Sequence, residues 1–284
     1  MKEKIKSIKT KLKRKRDPLK KKKLRFSSVI MVTFSLFSLY FFAHIVHWYF
    51  SGESTTALLS TINEAEVVGV TVPQINTSAS KVTEKKFPFI AVDFKELKER
   101  NMDTAAWLKV NAVDVSMPIV QTLDNDFYLN HDIDKKKNNL GWVFADARSN
   151  LDYLGTNSVL YGHNTGNKQM FGSLKNIFST DPEKKAEHEV IQLTTPTTQM
   201  VFEIVSVYVT TFEDWKYVQH TFPDDESKRE FVERMKAKNS MPIFARDDLS
   251  LHDSFLTFST CYGPAGTSDR LVIHARLVAQ QPNY

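Results

Sequence analysis

Apolar positions fall into two regimes along this chain. Residues 26–50, FSSVIMVTFSLFSLYFFAHIVHWYF, contain no Asp, Glu, Lys or Arg. As a helix rising about 1.5 Å per residue, this run is about 37 Å long, enough to cross a hydrocarbon layer of about 30 Å with tilt. His47, Trp48 and Tyr49 place amphipathic rings at its far end, as at a membrane interface. Beyond about residue 89 the apolar positions come in short runs that alternate with period two, the signature of strands.

Taken in order, residues 51–88 are polar and rich in Ser and Thr. They read as a stalk with a short helix near 57–66. Asp93 is an N-cap for a helix carrying Phe94 and Leu97. Asp103–Leu108 reads as a further helical turn with Trp107 packed inward. Val113 to Val120 alternates as a strand, with Pro118 marking an edge or bulge. A short helical segment follows at Asp124–Leu129, then strands at Gly141–Ala145 and Asn157–His163, and a surface helix at Met170–Phe178. Glu189–Thr195 and Met200–Thr211 read as two strands, the second long and Val-rich. Residues 224–238 predict a helix, with acids in its first turn, bases in its last and a narrow stripe of Phe231, Val232 and Met235. Strands and helices do not alternate, so the pattern favours a mainly β barrel with appended helices over a doubly wound sheet.

Charge divides the chain at the apolar run. Residues 1–25 hold 14 Lys or Arg against Glu3 and Asp17, a net of +12, whereas the rest of the chain is net −7. A basic block directly before an apolar run marks the cytoplasmic side. The run is too long for a signal-peptide core and no small-residue cleavage site follows it. Four segments result: a basic cytoplasmic segment 1–25, a transmembrane signal-anchor 26–50, an extracellular stalk 51–88 and a catalytic domain 89–284. The basic block is accounted for by topology, so no nucleic-acid partner is expected.

Candidate chemistry centres on Cys261, the single cysteine of the chain. In Phe255–Cys261, Leu256, Phe258 and Thr260 share one face, and Phe255, Thr257, Ser259 and Cys261 share the other, more polar one. The thiol thus ends a strand and points away from the core. Gly263, Pro264 and Gly266 break the strand, and a second strand starts at Arg270. The eight-residue loop between them can bring thiol and guanidinium together. A thiolate nucleophile needs a base or cation nearby. Of eight histidines, His163 closes an apolar strand and precedes a loop. His131 follows a short helix, His274 is mid-strand, and His188, His220 and His252 sit in polar surroundings. No residue spacing calls for a metal or a cofactor.

The chain resembles the sortases, and among them class B. The carriers are Thr257-Phe-Ser-Thr-Cys261, Arg270 at the start of the last strand, Tyr161-Gly-His163-Asn164, and Met170-Phe-Gly-Ser-Leu174. Pro118-Ile-Val-Gln, Asp124-Asn-Asp-Phe-Tyr-Leu129 and Gly141-Trp-Val-Phe-Ala-Asp146 add to them. The likeness runs over about residues 89–279, in order. Phe258 replaces a usual Leu, and Gly263 stands where some members carry an acid; neither removes a catalytic group. The resemblance implies an eight-stranded β-barrel, N-terminal helices and a helix in the connection before the cysteine strand. It implies a membrane-anchored cysteine transpeptidase with His163, Cys261 and Arg270 as catalytic residues, and Asn125, Leu129, Ser259 and Thr260 at the substrate. Its implied partners are secreted proteins with a C-terminal sorting signal and an amine acceptor. That acceptor is either a peptidoglycan cross-bridge or, in a pilin polymerase, a pilin lysine. Two other classes compete. A papain-like hydrolase needs its cysteine near a helix start, and Cys261 ends a strand. A non-catalytic surface-binding domain has no need of Cys, His and Arg at strand ends.

Overall fold

The computed structural model describes residues 18–62, 66–67, 88–113, 115–179, 181–184, 189–263 and 266–283. The chain divides into two compact units, residues 1–50 and 51–284. Helix α1, Pro18–Ile62, supplies the described part of the first unit. Among the described residues, one helical stretch, Val29–Ile62, is long and apolar enough to cross a membrane. Phe34, Phe37, Tyr40 and Phe42 stand exposed on it, as lipid-facing side chains do. The helix expected at 57–66 ends at Ile62 and Glu66 is in a strand; residues 63–65 lie outside the described set.

The second unit is a closed barrel of eight strands in the order β10-β8-β7-β3-β4-β5-β6-β9. The strands are β3 (Thr104–Val110), β4 (Val115–Val120), β5 (Phe144–Ala145), β6 (Asn157–Tyr161), β7 (Val190–Thr194), β8 (Thr198–Thr211), β9 (Phe255–Cys261) and β10 (Asp269–Pro282). Closure removes sheet edges. Two neighbouring pairs, β4–β5 and β6–β9, are parallel; the others are antiparallel. A separate two-stranded ribbon pairs β1 (Glu66–Val67) with β2 (Ala91–Val92). Helix α2, Phe94–Arg100, starts where Asp93 accepts from Lys95 N at 2.8 Å, and it buries Phe94 and Leu97 as expected.

Three expectations need correction. Residues 103–108 are not helical: Thr104–Val110 is β3, pairing Trp107 with both Pro118 and Thr194. The helix-favouring Ala105 and Ala106 are overruled by two ladders. Pro118 is tolerated because the β4–β5 ladder is limited to Val120 ↔ Phe144, so no strand partner there needs its missing N–H, and its carbonyl accepts from Trp142 Nε1 at 2.8 Å. Residues 170–178 form a turn followed by a 3₁₀ helix, Leu174–Ser179, with Met170 and Phe171 buried.

The third correction concerns β9. Its inner face, Leu256 and Phe258, joins the barrel core with Leu160, Phe202 and Ile273. Its other face is also buried as far as Ser259, because the β8–β9 connection folds over it. Helix α3, Asp225–Lys238, lays Phe231, Val232 and Met235 against Phe255 and Val205. A capping box between Asp224 and Ser227 starts this helix. Ser206 Oγ donates to Met235 O at 2.8 Å, and Arg234 and Lys238 both pair with Asp214. Only Cys261, past the end of this cover, remains partly exposed.

Candidate active site

Register brings the sequence-selected residues to one end of the barrel. Antiparallel pairing sets Arg270 directly opposite Cys261. Paired residues share a sheet face, so thiol and guanidinium project together. Parallel pairing sets Asn157 opposite Phe255 and continues to Tyr161 opposite Ser259. Two residues further on, the chains reach His163 and Cys261. The barrel therefore delivers histidine, cysteine and arginine from β6, β9 and β10, three adjacent strands.

Each of the three is held by its surroundings. His163 Nε2 lies 2.8 Å from Leu129 O. A carbonyl only accepts, so Nε2 carries hydrogen and Nδ1 is the basic nitrogen of the neutral ring. Arg270 Nη1 donates to Thr267 O (3.3 Å) and Asp269 O (2.9 Å), and its guanidinium carbon is 5.9 Å from the Phe212 ring centre. The β9–β10 turn is tied by Thr267 Oγ1 donating to Tyr262 O at 2.7 Å. Gly263 and Gly266 there adopt φ of +88° and +87°, conformations glycine takes readily.

The residues implied as substrate contacts are differently placed. Leu129 is 40% exposed, and its carbonyl orients His163. Ser259 is buried with its hydroxyl 3.2 Å from Tyr217 OH. Thr260 faces the barrel side, buried, with no hydrogen-bond partner for Oγ1 among the described residues. Asn125 is engaged within the protein: Nδ2 donates to Asp146 (3.1 Å) and Oδ1 accepts from Ala147 N (2.8 Å).

Several residues at this end were not singled out from the sequence. Tyr217, in the 3₁₀ segment Trp215–Val218, covers Ser259. Burial pushes its phenol above the ordinary range. The Ser259 hydrogen bond and the Arg270 charge oppose that, and Cys261 reinforces it. Tyr217 is thus within electrostatic reach of both groups. Asp146 is fully buried and accepts from Arg148 Nε (2.9 Å) and Tyr161 OH (2.9 Å). Burial works against its charge, but Arg148 and His220 outweigh it and hold the carboxyl well below the usual range. His220 was read as lying in polar surroundings. Its side chain is 8% exposed, with Nε2 3.4 Å from Asp146 Oδ2 but not aligned for a hydrogen bond. Apart from Arg148, no local pattern announces these contacts, because Tyr161 and His220 reach Asp146 from other segments.

The other histidines are structural or distant. His274 is fully buried between Tyr208 OH (3.0 Å) and Thr257 Oγ1 (2.7 Å). Thr257 donates its own hydrogen to Asn157 Oδ1 at 2.6 Å. It must then accept from His274 Nδ1, leaving Nε2 to accept from Tyr208. Burial pushes the His274 pKa down to about 3, so the ring is neutral. His131 stacks on Phe127 with ring centres 4.1 Å apart. His188 lies outside the described residues.

Comparison with known proteins gives one consistent answer. The sequence profile of the sortase domain matches residues 108–278. Sortase B of Staphylococcus aureus is 28% identical over 186 residues, covering 65% of this chain and 74% of that protein. Sortase B of Listeria monocytogenes is 28% identical over 189 residues, covering 66% and 75%. The crystal structure of Clostridium perfringens sortase B superposes with a TM-score of 0.59 at 32% identity, covering 66% of this chain and 100% of that one. A Staphylococcus aureus sortase B–substrate complex superposes with a TM-score of 0.58 at 27% identity, covering 65% and 84%.

Proposed function

The chain belongs to the sortase family of cysteine transpeptidases, in class B, and on that premise we propose that Cys261, His163 and Arg270 transfer secreted proteins onto an amine outside the membrane. The observation that carries this reading is the pairing of β9 with both β6 and β10, which runs His163, Cys261 and Arg270 to one barrel end.

The Cys261 thiolate attacks the Thr carbonyl carbon of a C-terminal sorting peptide, forming a carbon–sulfur bond. Arg270 donates hydrogen bonds to the developing oxyanion. The peptide carbon–nitrogen bond breaks, and His163, protonated at Nδ1, gives its proton to the leaving amine. A thioester on Cys261 remains. An acceptor amine then attacks it, His163 takes the amine proton, and the thiolate leaves. Leu129 O supports His163 throughout by holding Nε2–H, which keeps Nδ1 for proton transfer. The partly exposed Asn125 and the exposed Leu129 side chain border the peptide, while buried Ser259 and Tyr217 lie beneath that wall and Thr260 faces the barrel core.

The basic segment 1–25 stays cytoplasmic, residues 26–50 anchor the chain and the barrel works outside. A peptidoglycan cross-bridge is the proposed acceptor. A related sortase B has been crystallised with triglycine, which makes that peptide a suitable probe. The test incubates detergent-solubilised protein with Thr-containing sorting peptides, with and without triglycine. A new peptide–triglycine amide supports the reading. Hydrolysis alone, unaffected by the amine, rejects transpeptidation.

A further inference from the structure

The membrane-proximal helical residues 51–62 do more than join the anchor to the barrel. Thr55 is fully buried, and its Oγ1 accepts from Asn138 Nδ2 at 3.0 Å. Asn138 belongs to the loop that follows Leu129. Its backbone N donates to Asn130 O at 2.9 Å, next to the carbonyl that binds His163. One turn of helix thus reaches the acceptor side of the His163 hydrogen bond.

The same turn reaches the loop that carries His163 itself. Gln169 Nε2 donates to Gly52 O at 3.0 Å and also to Thr56 Oγ1. The approach is close: a Cβ at position 52 would lie 2.9 Å from Asn167 Nδ2. Loop 163–172 is closed on itself, with Phe171 N donating to His163 O (3.0 Å) and Thr165 Oγ1 donating to Gln169 O (2.6 Å). Lys168 and Met170, on either side of Gln169, hold φ of 64° and 52°. Left-handed conformations at such residues persist only where surrounding contacts impose them. Met170 is fixed by burial, and Gln169 is fixed by the helix.

We infer that Gly52, Thr55 and Thr56 form a clamp that positions His163, through Asn138 on one side and Gln169 on the other. These are positioning residues, since none contacts the imidazole. The inference rests on the proposed role of His163 in proton transfer. Small misplacements of a reacting group can cost about a hundredfold in rate, and general acid–base catalysis contributes about 10²–10⁴-fold, so a partial release of the clamp should cost about tenfold.

The test uses the full chain in detergent with ¹³C-labelled histidine. The His163 ring signal is assigned by its loss in His163→Gln. Gln169→Met keeps side-chain length on a part-exposed loop but cannot donate. Thr55→Val keeps shape but removes the hydroxyl, and Thr55→Ser restores it. In both disruptive variants the His163 signal should shift or split, while Thr55→Ser returns it to the wild-type position. Thioester formation with a pool of Thr-containing sorting peptides should slow about tenfold in Gln169→Met. A lowered Tm with an unmoved His163 signal would mark a purely structural tie and overturn the inference. If His163→Gln is inactive while the two variants leave signal and rate unchanged, the clamp is rejected and the role of His163 stands. If His163→Gln retains full activity, that role fails, and the clamp's part in catalysis fails with it.

Discussion

Acidification should weaken this barrel through His274, a histidine that takes no part in the chemistry. The ring is buried, gives Nδ1–H to Thr257 and accepts Tyr208 OH at Nε2. Protonation would put two donors face to face at Nε2 and leave a charge buried. Its native pKa is accordingly down to about 3 against an ordinary value of 6.5. Between those values the unfolded chain binds a proton that the native chain does not. Stability is then full above about pH 6.5 and falls as pH drops toward 3. At pH 5 the unfolded state gains about 1.5 pH units of protonation free energy, or about 2 kcal/mol at 1.36 kcal/mol per unit. For a domain of this size that is a Tm loss of about 4–8 °C. Asp146 and Asp214 do not confound the assayed range of pH 7.5 to 5, because their native values are lowered from an ordinary 3.8 and the stability they add is lost mainly below that. The assay follows tryptophan fluorescence on heating at pH 7.5, 6 and 5. His274→Gln can donate to Thr257 and accept from Tyr208 without titrating. Its melting temperature should depend less on pH than that of the wild type, with turnover at pH 7.5 retained. Parallel pH dependence in the two proteins would refute the reasoning.

Other outcomes separate chemistry from architecture. Cys261→Ala should lose all turnover and melt within about 3 °C of wild type, since the side chain sits at the partly exposed end of β9. His163→Ala should lose about a hundredfold or more in kcat/KM, while His131→Ala, at the Phe127 stack, should lose much less. Arg270→Lys should lower kcat/KM about tenfold or more, because an ammonium cannot present the planar donors of a guanidinium; a value within twofold of wild type rejects its role at the oxyanion. Exchanging the exposed residues of α3 while keeping Phe231, Val232 and Met235 should shift preference across a peptide panel and leave Cys261 alkylation unchanged. An unchanged preference would make α3 only a cover for β9.

Local patterns made the strand ends legible. Alternation in Phe255–Cys261 and the breakers after it identified where the thiol lies, and Arg270 and Asn157–His163 were found in the same way. The capped helices at 94–100 and 225–238 carry their signals within a few residues. Pairing order was not legible, because nothing local says that β6 lies parallel to β9 across about 100 positions. For the same reason both faces of β9 were not seen to be covered, since the α3 stripe had no visible target. Thr104–Val110 was misread because two Ala residues favour helix locally, while two ladders decide the outcome. Asp146 and Tyr217 were not singled out, and His220 was set aside as polar, because the contacts with Tyr161, Ser259 and Asp146 that define their environments come from other segments.

The most direct measurement is the mass of the protein after rapid quenching with a Thr-containing sorting peptide in the absence of an acceptor amine. The expected adduct equals the peptide up to and including its Thr. It should map to Cys261, be absent in Cys261→Ala and disappear when triglycine is added, with a matching peptide–triglycine product. Peptide cleavage with no adduct on Cys261, or persisting in Cys261→Ala, would contradict transpeptidation through this thiol.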